Sequence, residues 1–496
     1  MLKIYDSRSR QKVEFEPFDT EGRQVGMYYC GPTVYDSVHL GHARAAIVPD
    51  MIRRYLEYRG FTVRWVANFT DVDDKIIQRA LDEKRDWREL TAYYMEEYAR
   101  LTAALGNRPP DARPRATDTV PEMIDLVERL LDAGNGYVAA DGDVYFDVAS
   151  FDGYGGLSGR RAEDQEAGRS GRLDAKRQSV KKNPGDFVLW KVATNDPEAW
   201  RSAADSLPGW PSPWGYGRPG WHLECSAISK RYLGMPFDIH GGGKDLLFPH
   251  HENEAAQNDC GYCAELAGTA SVKYWVHNAF VDLDGEKMSK SLGNVKWLRE
   301  MIWPEGGYDP LAIRMVMLQS HYRSPLSVVP EQLDAAAARV DKIYAVAAML
   351  GDGLERLVPD DEGEPSETVL EAMASARAAF EKGMDDDFNT AVGLAAVDEL
   401  VTYCNRELQG AAPADRRAAR ATLRSLVQTL GLRTEQVGGA GASDAEDGLL
   451  ELLADLRGQA RAAKDFATAD RIRDGLSALG YELRDAQGGG TEIVRK

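Results

Sequence analysis

No apolar run in this chain approaches the roughly 20 residues a helix needs to cross a bilayer, and Met1 to Asp6 has neither a basic nor an apolar leader-like stretch. A cytoplasmic protein with no membrane partner is the resulting expectation. Cysteine is scarce: five residues (30, 225, 260, 263 and 404) in 496 cannot form the dense framework of a secreted scaffold, so metal binding, catalysis or packing is their expected use. No long internal repeat occurs, which argues against a solenoid. Positive charge is also in deficit. A formal net charge of -19 argues against indiscriminate attraction to nucleic acid and leaves room for a local basic surface.

What is present implies two to four domains, because so long a chain exceeds one ordinary core. Val25 to Cys30 is short, apolar and aromatic and ends at Gly31-Pro32, as a buried strand leaving a sheet does. Helical spacing follows from about Gly41 to Tyr58, Gly60 stops it, and Phe61 to Phe69 resumes as a strand. Strand, helix and strand in that order make a right-handed parallel crossover, hence an α/β fold with a Rossmann-like parallel sheet. Pro49 inside the helical pattern predicts a bend at Ala46 to Val48.

From about Asp111 to Trp221 the pattern turns irregular, with a mixed charge run and a Pro/Gly/Trp-rich stretch, and reads as an insertion with mobile loops. Strand periodicity returns at Met235 to His240 and Tyr274 to Val281. Beyond about Pro330 alanine, leucine and arginine at helical spacing predict a bundle, then a glycine-rich linker and a small module of helices and a strand pair. The expected boundaries are 1–115 and 222–300 for two halves of the catalytic domain, 116–221 for a connective insertion and 301–330 for a linking region. A helical bundle over 331–435, a linker over 436–447 and a terminal module over 448–496 complete the division.

His39 and His42 flank Gly41 where loop becomes helix, and free backbone N–H groups there favour a phosphate. Alone, H-x-x-H is as common as any surface histidine pair. Downstream, however, stands Gly285-Glu286-Lys287-Met288-Ser289-Lys290-Ser291, a lysine-bearing polar loop after a strand. Together the two segments resemble the HIGH and KMSKS signatures of class I aminoacyl-tRNA synthetases, which act on opposite sides of ATP. His39, His42, Lys287 and Lys290 are then the expected catalytic residues, and with Gly41 they bind ATP. Mg2+ is expected to accompany ATP, held mainly by phosphates.

His250 and Glu254, four apart, share one helix face, with Pro249 expected to open the helix; Cys225 comes from another segment and Cys30 ends the first strand. These are two sulfurs, a nitrogen and an oxygen, a set that a tetrahedral zinc site can use. Singly, each is more simply a packed thiol or a surface pair. As a group they resemble the cysteinyl-tRNA synthetase family. The resemblance covers essentially the whole chain: Cys30 to Asp36 running into His39–His42, Asn68 to Lys75, Asp186 to Lys191, Gly220 to Ser226, Asp238 to Glu254, and Lys287 to Ser291.

That resemblance implies one zinc ion bound by Cys30, Cys225, His250 and Glu254, direct coordination of the substrate thiolate, and no need of an editing domain. It implies that Thr70, Trp221 and Asp245 orient L-cysteine, that the partners are ATP, L-cysteine and tRNA(Cys), and that the chain is a monomer. It places tRNA stem and anticodon binding in the bundle and terminal module, where Arg461, Phe466, Asp470 and Asp485 are the anticodon candidates. Cys260-Gly261-Tyr262-Cys263, Pro49 and Gly185 depart from the family pattern, and Cys404 is expected to pack in the bundle. Two rivals stand beside this reading. A mycothiol-pathway cysteine ligase resembles only the front of the chain, and a noncatalytic tRNA-binding paralogue does not need the intact signatures.

Overall fold

The computed structural model describes residues 1–160, 180–194, 208–283, 286–287, 297–302, 307–351, 363–433, 453, 457, 460–461, 465–478, 481–485 and 491–495. Two compact units result, Met1–Arg433 and Thr434–Lys496. In the first unit a hairpin of β1 (Lys3–Asp6) and β2 (Gln11–Glu14) precedes β3 (Gln24–Tyr29), α1 (Leu40–Tyr58) and β4 (Thr62–Ala67). Strands β3 and β4 pair in parallel from Gln24↔Thr62 to Tyr29↔Ala67. Next come α2 (Asp74–Glu83), α3 (Trp87–Ala104) and α4 (Val120–Asp132).

The insertion is more ordered than the sequence suggests. Its strands β5 (Gly136–Val138), β6 (Val144–Phe146), β7 (Phe187–Thr194) and β8 (Tyr216–Pro219) form an antiparallel sheet of their own. Val144, Phe146, Phe187, Leu189 and Trp190 bury one face of it against α4 residues such as Met123 and Leu126. The charged and Pro/Gly-rich stretches lie between these strands in sequence, and their composition obscured β5, β6 and β8, only three or four residues long, and the eight-residue β7 between them.

The chain returns through α5 (Trp221–Leu233), β9 (Phe237–Gly243), α6 (Glu252–Gly261), α7 (Cys263–Leu266) and β10 (Val272–Asn278). Strand order β10-β9-β3-β4, all parallel, completes the central sheet. Alternation along β3 sends Val25, Met27 and Tyr29 to the α1 side and Tyr28 to the α5 side, where it meets Ile228 and Trp275. Both faces are covered, as an all-parallel sheet requires. At Gly241 a side chain would run into the Tyr29 ring, so glycine is needed there.

A small sheet of β11 (Val281–Leu283), β12 (Glu286–Lys287) and β13 (Leu326–Val328) follows, with α8 (Leu298–Ile302) and α9 (Pro310–Leu318) between its last two strands in sequence. The bundle comprises α10 (Pro330–Met349), α11 (Glu367–Met384), α12 (Thr390–Glu407) and α13 (Pro413–Thr429). Cys404 is buried in its core, as expected. Helix α1 docks on the bundle: the Tyr55 hydroxyl donates to Asp385 at 2.6 Å, Tyr58 donates to Glu381 at 2.9 Å, and Arg59 pairs with Asp385. In place of the bend expected at Ala46 to Val48, α1 runs as one helix past Pro49, and a cavity of about 190 Å³ lies beside Pro49, lined also by Ala46, Ala99 and Ala103.

The second unit contains α14 (Phe466–Ala478) and an antiparallel pair, β14 (Tyr481–Asp485) and β15 (Thr491–Arg495), where the sequence pattern indicates strands over Tyr481 to Leu483 and Thr491 to Val494. The expected linker over 436–447 lies outside the described residues. Among the described residues no helix is long and apolar enough to cross a membrane.

Candidate active site

His39 is the N-cap of α1, in extended backbone conformation. Its Nδ1 accepts from the Gly41 N–H at 3.1 Å, while the His39 N–H donates to His42 Nδ1 at 3.3 Å, a reciprocal cap in which histidines replace the usual Ser and Glu. The two rings stack with centroids 3.8 Å apart. A Cβ on Gly41 would come within 2.9 Å of the His39 ring, so in the structure the space above this glycine accommodates the imidazole.

The lysine loop is rooted beside this helix start. Lys287 lies in β12, its backbone opposite Asp282 in β11, whereas Lys290 lies outside the described residues. On the far side of that loop, Trp297 pairs antiparallel with His39, and the Leu298 N–H donates to the Val38 carbonyl at 2.8 Å. The segment that follows the lysine signature therefore shares a backbone contact with the histidine signature.

Cys30 leaves the carboxyl end of β3, with its N–H donating to the Gly241 carbonyl at 3.0 Å. Cys225 projects from α5, and His250 and Glu254 flank the start of α6. Proline does not open that helix: Leu247–His251 forms an irregular turn with Phe248 in extended conformation, and α6 begins at Glu252. Nevertheless the i,i+4 relation holds, with His250 Nε2 2.9 Å from Glu254 Oε1. Cys30 Sγ lies 3.4 Å from Cys225 Sγ and 3.6 Å from Glu254 Oε1, and Cys225 Sγ lies 3.5 Å from His250 Nε2. A tetrahedron with zinc–sulfur bonds of about 2.3 Å has sulfur–sulfur edges of about 3.8 Å, so this donor set fits zinc with a small expansion.

Electrostatics make the same point. Burial pushes the Cys30 thiol well up, its hydrogen bond to Cys225 adding to the rise. For Cys225 burial acts upward too, but the hydrogen bonds from Cys30 and His250 draw the thiol down to about 6. Burial alone would discharge His250, yet Glu254 and Cys225 push its imidazole up to about 10. The histidine serves as the cation for a cluster of would-be anions, the role a divalent ion fills better.

Four further histidines surround these donors. His240 Nε2 is hydrogen-bonded to Glu254 Oε2 at 2.7 Å, and His222 Nδ1 faces His250 Nδ1 at 2.8 Å. His251 Nε2 lies 3.3 Å from Cys30 Sγ, and its Nδ1 bonds His277 Nε2 at 2.8 Å; His277 in turn meets Ser7. Cys30, His240, His251 and Glu254 form a second donor set within metal-binding distance of one another, sharing two members with the first. Only the first set has two sulfurs, which zinc prefers to a second imidazole. The second layer was missed in the sequence, although five of the eight histidines falling between 222 and 277 was a usable signal. His240→Ala, which frees one oxygen of Glu254, is expected to weaken zinc binding about 10- to 100-fold, as read by competition with a chromogenic chelator.

Of the predicted substrate contacts, Trp221 stacks on His250 with ring centroids 4.0 Å apart. Buried Thr70 donates its hydroxyl to Glu224 at 2.6 Å. Burial raises that carboxyl well above its usual range, against the opposing Thr70 hydrogen bond. Asp245 is exposed in the turn after β9 and belongs to neither donor set. Cys260 and Cys263 are free thiols outside both sets. In the second unit Arg461 and Phe466 are exposed, Asp470 pairs with Arg473 at 2.9 Å, and Asp485 pairs through its backbone with Thr491.

A parallel sheet with a histidine-capped helix and a cation-seeking cluster at its carboxyl edge is the arrangement that the resemblance to class I aminoacyl-tRNA synthetases implies. The profile described as tRNA synthetases class I (C) catalytic domain matches residues 16–338, and that of the DALR domain matches residues 379–435. Methionyl-tRNA synthetase of Mycobacterium tuberculosis with methionyl-adenylate superposes with a TM-score of 0.53 over 87% of this chain and 94% of that one, at 15% identity, a likeness of fold. The chain belongs to the cysteine–tRNA ligase family. It is 44% identical to the cysteine–tRNA ligase of Methylococcus capsulatus over 499 residues, 99% of each chain. The corresponding protein of Desulforudis audaxviator is 44% identical over 497 residues, 98% of this chain and 99% of that one.

Proposed function

We propose that this chain joins L-cysteine to the 3′ end of tRNA(Cys) in the cytoplasm, as a monomer, in two steps, with zinc selecting the amino acid. The observation that carries the reading is the placement of the two-thiol cluster on the sheet edge from which the histidine-capped α1 departs. When bound, zinc supplies a Lewis acid that holds cysteine as thiolate, a bond that serine, with its far less acidic hydroxyl, cannot match. Cys30, Cys225, His250 and Glu254 hold the metal, and the Trp221 ring, stacked on His250, walls the amino acid. Thr70 and Asp245 orient its backbone groups.

In the first step a cysteine carboxylate oxygen forms a bond to the α-phosphorus of ATP as the bond to the β-phosphate oxygen breaks and pyrophosphate leaves, with Mg2+ travelling on the phosphates. His39 and His42, with Lys287 and Lys290, place donors and positive charge where charge grows, and Gly41, which leaves room for the His39 ring, is assigned to the nucleotide with them. In the second, the terminal ribose hydroxyl of tRNA attacks the acyl carbon and AMP leaves. Arg461, Phe466, Asp470 and Asp485 are assigned to the anticodon end.

Purified protein with ATP, Mg2+ and cysteine is expected to exchange pyrophosphate and to charge tRNA(Cys). Charging of an amino sugar in place of tRNA would establish the mycothiol-type ligase instead, and absence of cysteine-dependent exchange would establish the noncatalytic paralogue.

A further inference from the structure

Arg44, on α1 two residues after His42, has only 1% of its surface exposed. Its guanidinium donates to three backbone carbonyls, Phe280 at 3.0 Å, His321 at 2.9 Å and Ala279 at the limit of 3.5 Å. Among the described residues no carboxylate acts on it, Tyr29 being the acidic group that does, and its Nε is buried without an acceptor. Burial draws it down to about 10, with Tyr29 opposing, so it remains a cation at neutral pH. An enclosed charge with no counter-ion among the described residues is costly to keep, and packing alone would be served better by an apolar side chain of similar volume.

The three carbonyls explain its retention. Phe280 immediately precedes β11, the strand that leads to Lys287, and its carbonyl also accepts from the Leu326 N–H at 3.2 Å. His321 begins the segment in which the Tyr322 hydroxyl and Arg323 Nε both donate to Asp387, at 2.8 and 2.7 Å, at the entrance to the bundle. One planar side chain thus joins the histidine-bearing helix, the near root of the lysine loop and the approach to the bundle. The far root is already tied to His39 through Trp297.

We infer that Arg44 is a positioning residue for adenylate formation, locking the near root of the Lys287–Lys290 loop to the helix of His39 and His42 so that both flanks of ATP are held in one geometry. The inference rests on the function proposed above. A lysine, with one nitrogen, keeps the charge but cannot span three carbonyls.

The test is cysteine-dependent pyrophosphate exchange by the full-length zinc-loaded protein and its Arg44→Lys and Arg44→Met variants, with zinc content, cysteine KM and melting temperature measured in parallel. Arg44→Lys is expected to lower kcat by about tenfold, and Arg44→Met by about a hundredfold, the loss associated with misplacing reacting groups by about 1 Å. Zinc content and cysteine KM stay unchanged in both. If Arg44→Met does not accumulate folded, Arg44→Lys decides alone. An unchanged kcat in Arg44→Lys with only a lower melting temperature overturns the inference in favour of packing. Loss of zinc and cysteine affinity along with kcat overturns it in favour of general disruption. Absence of exchange in the unaltered protein overturns the proposed function itself, a separate result.

Discussion

Cys225→Ser is expected to lose zinc and cysteine affinity together while ATP binding survives. A serine hydroxyl at this position keeps the shape of the side chain but does not deprotonate at neutral pH, so the donor set falls from two thiolates to one. In the unaltered protein Cys225 is the more acidic thiol, drawn down to about 6 against the effect of burial by Cys30 and His250. Loss of one outer-layer contact costs a metal site about 10- to 100-fold, and loss of a ligand at least as much, so cysteine KM rises by about a hundredfold or more. Discrimination against serine then falls towards the roughly 10- to 200-fold that steric fit alone provides. His39 and His42 cap one another on a different element, so ATP KM changes by no more than about twofold. Metal analysis and calorimetric titration with cysteine read both quantities on one sample. A metal-free variant with normal cysteine affinity would refute zinc as the reader of the substrate.

The site's donors were legible in the sequence as a group and not singly: Cys30, Cys225, His250 and Glu254 each stand in a segment that resembles the family, while no local pattern marks Cys225 by itself. What supports those donors was not. His240 reaches Glu254 only because β9 turns that ring toward α6, and Glu224 meets Thr70 across 154 residues of sequence. Contacts of this kind depend on which strands lie side by side, and the order β10-β9-β3-β4 is not written in any local pattern. The insertion's sheet escaped notice for a different reason, since β5 and β6 are too short to show periodicity and are separated in sequence from β7 by a charged stretch. No pattern in the sequence sets Arg44 and Arg314 apart, and only the fold shows them fully enclosed.

Arg314→Leu is expected to destabilise the first unit by about 3 kcal/mol, the low end of the cost of removing one partner of a buried ion pair, because Arg54 stays on Asp50 at 2.8 Å. Asp50 and Arg314 are both fully buried and meet at 2.6 Å across 264 residues of sequence. The Arg314 guanidinium also donates to the Leu430 carbonyl at 2.7 Å and to Asn107 Oδ1 at 2.7 Å, closing the end of α13 against α1 and the loop after α3. At Gly431, whose φ is +72°, any side chain would collide with that guanidinium. Burial alone would raise the Asp50 carboxyl, but Arg314 and Arg54 together hold it below its ordinary range. A carboxyl lowered on folding contributes stability that is present above its unfolded value of about 4 and is lost as pH falls through its folded value. The gap between the unaltered protein and Arg314→Leu is therefore constant from about pH 6 to 8 and narrows below about pH 4, where protonation of Asp50 also relieves the variant. Urea unfolding followed by tryptophan fluorescence at several pH values measures it. The double variant Asp50→Leu/Arg314→Leu, which removes both fully buried charges and takes the carboxylate from the partly exposed Arg54, should be more stable than Arg314→Leu alone. A double variant less stable than the single one, or a gap that widens in acid, would mean that the pair's packing rather than its charge holds the bundle end against α1.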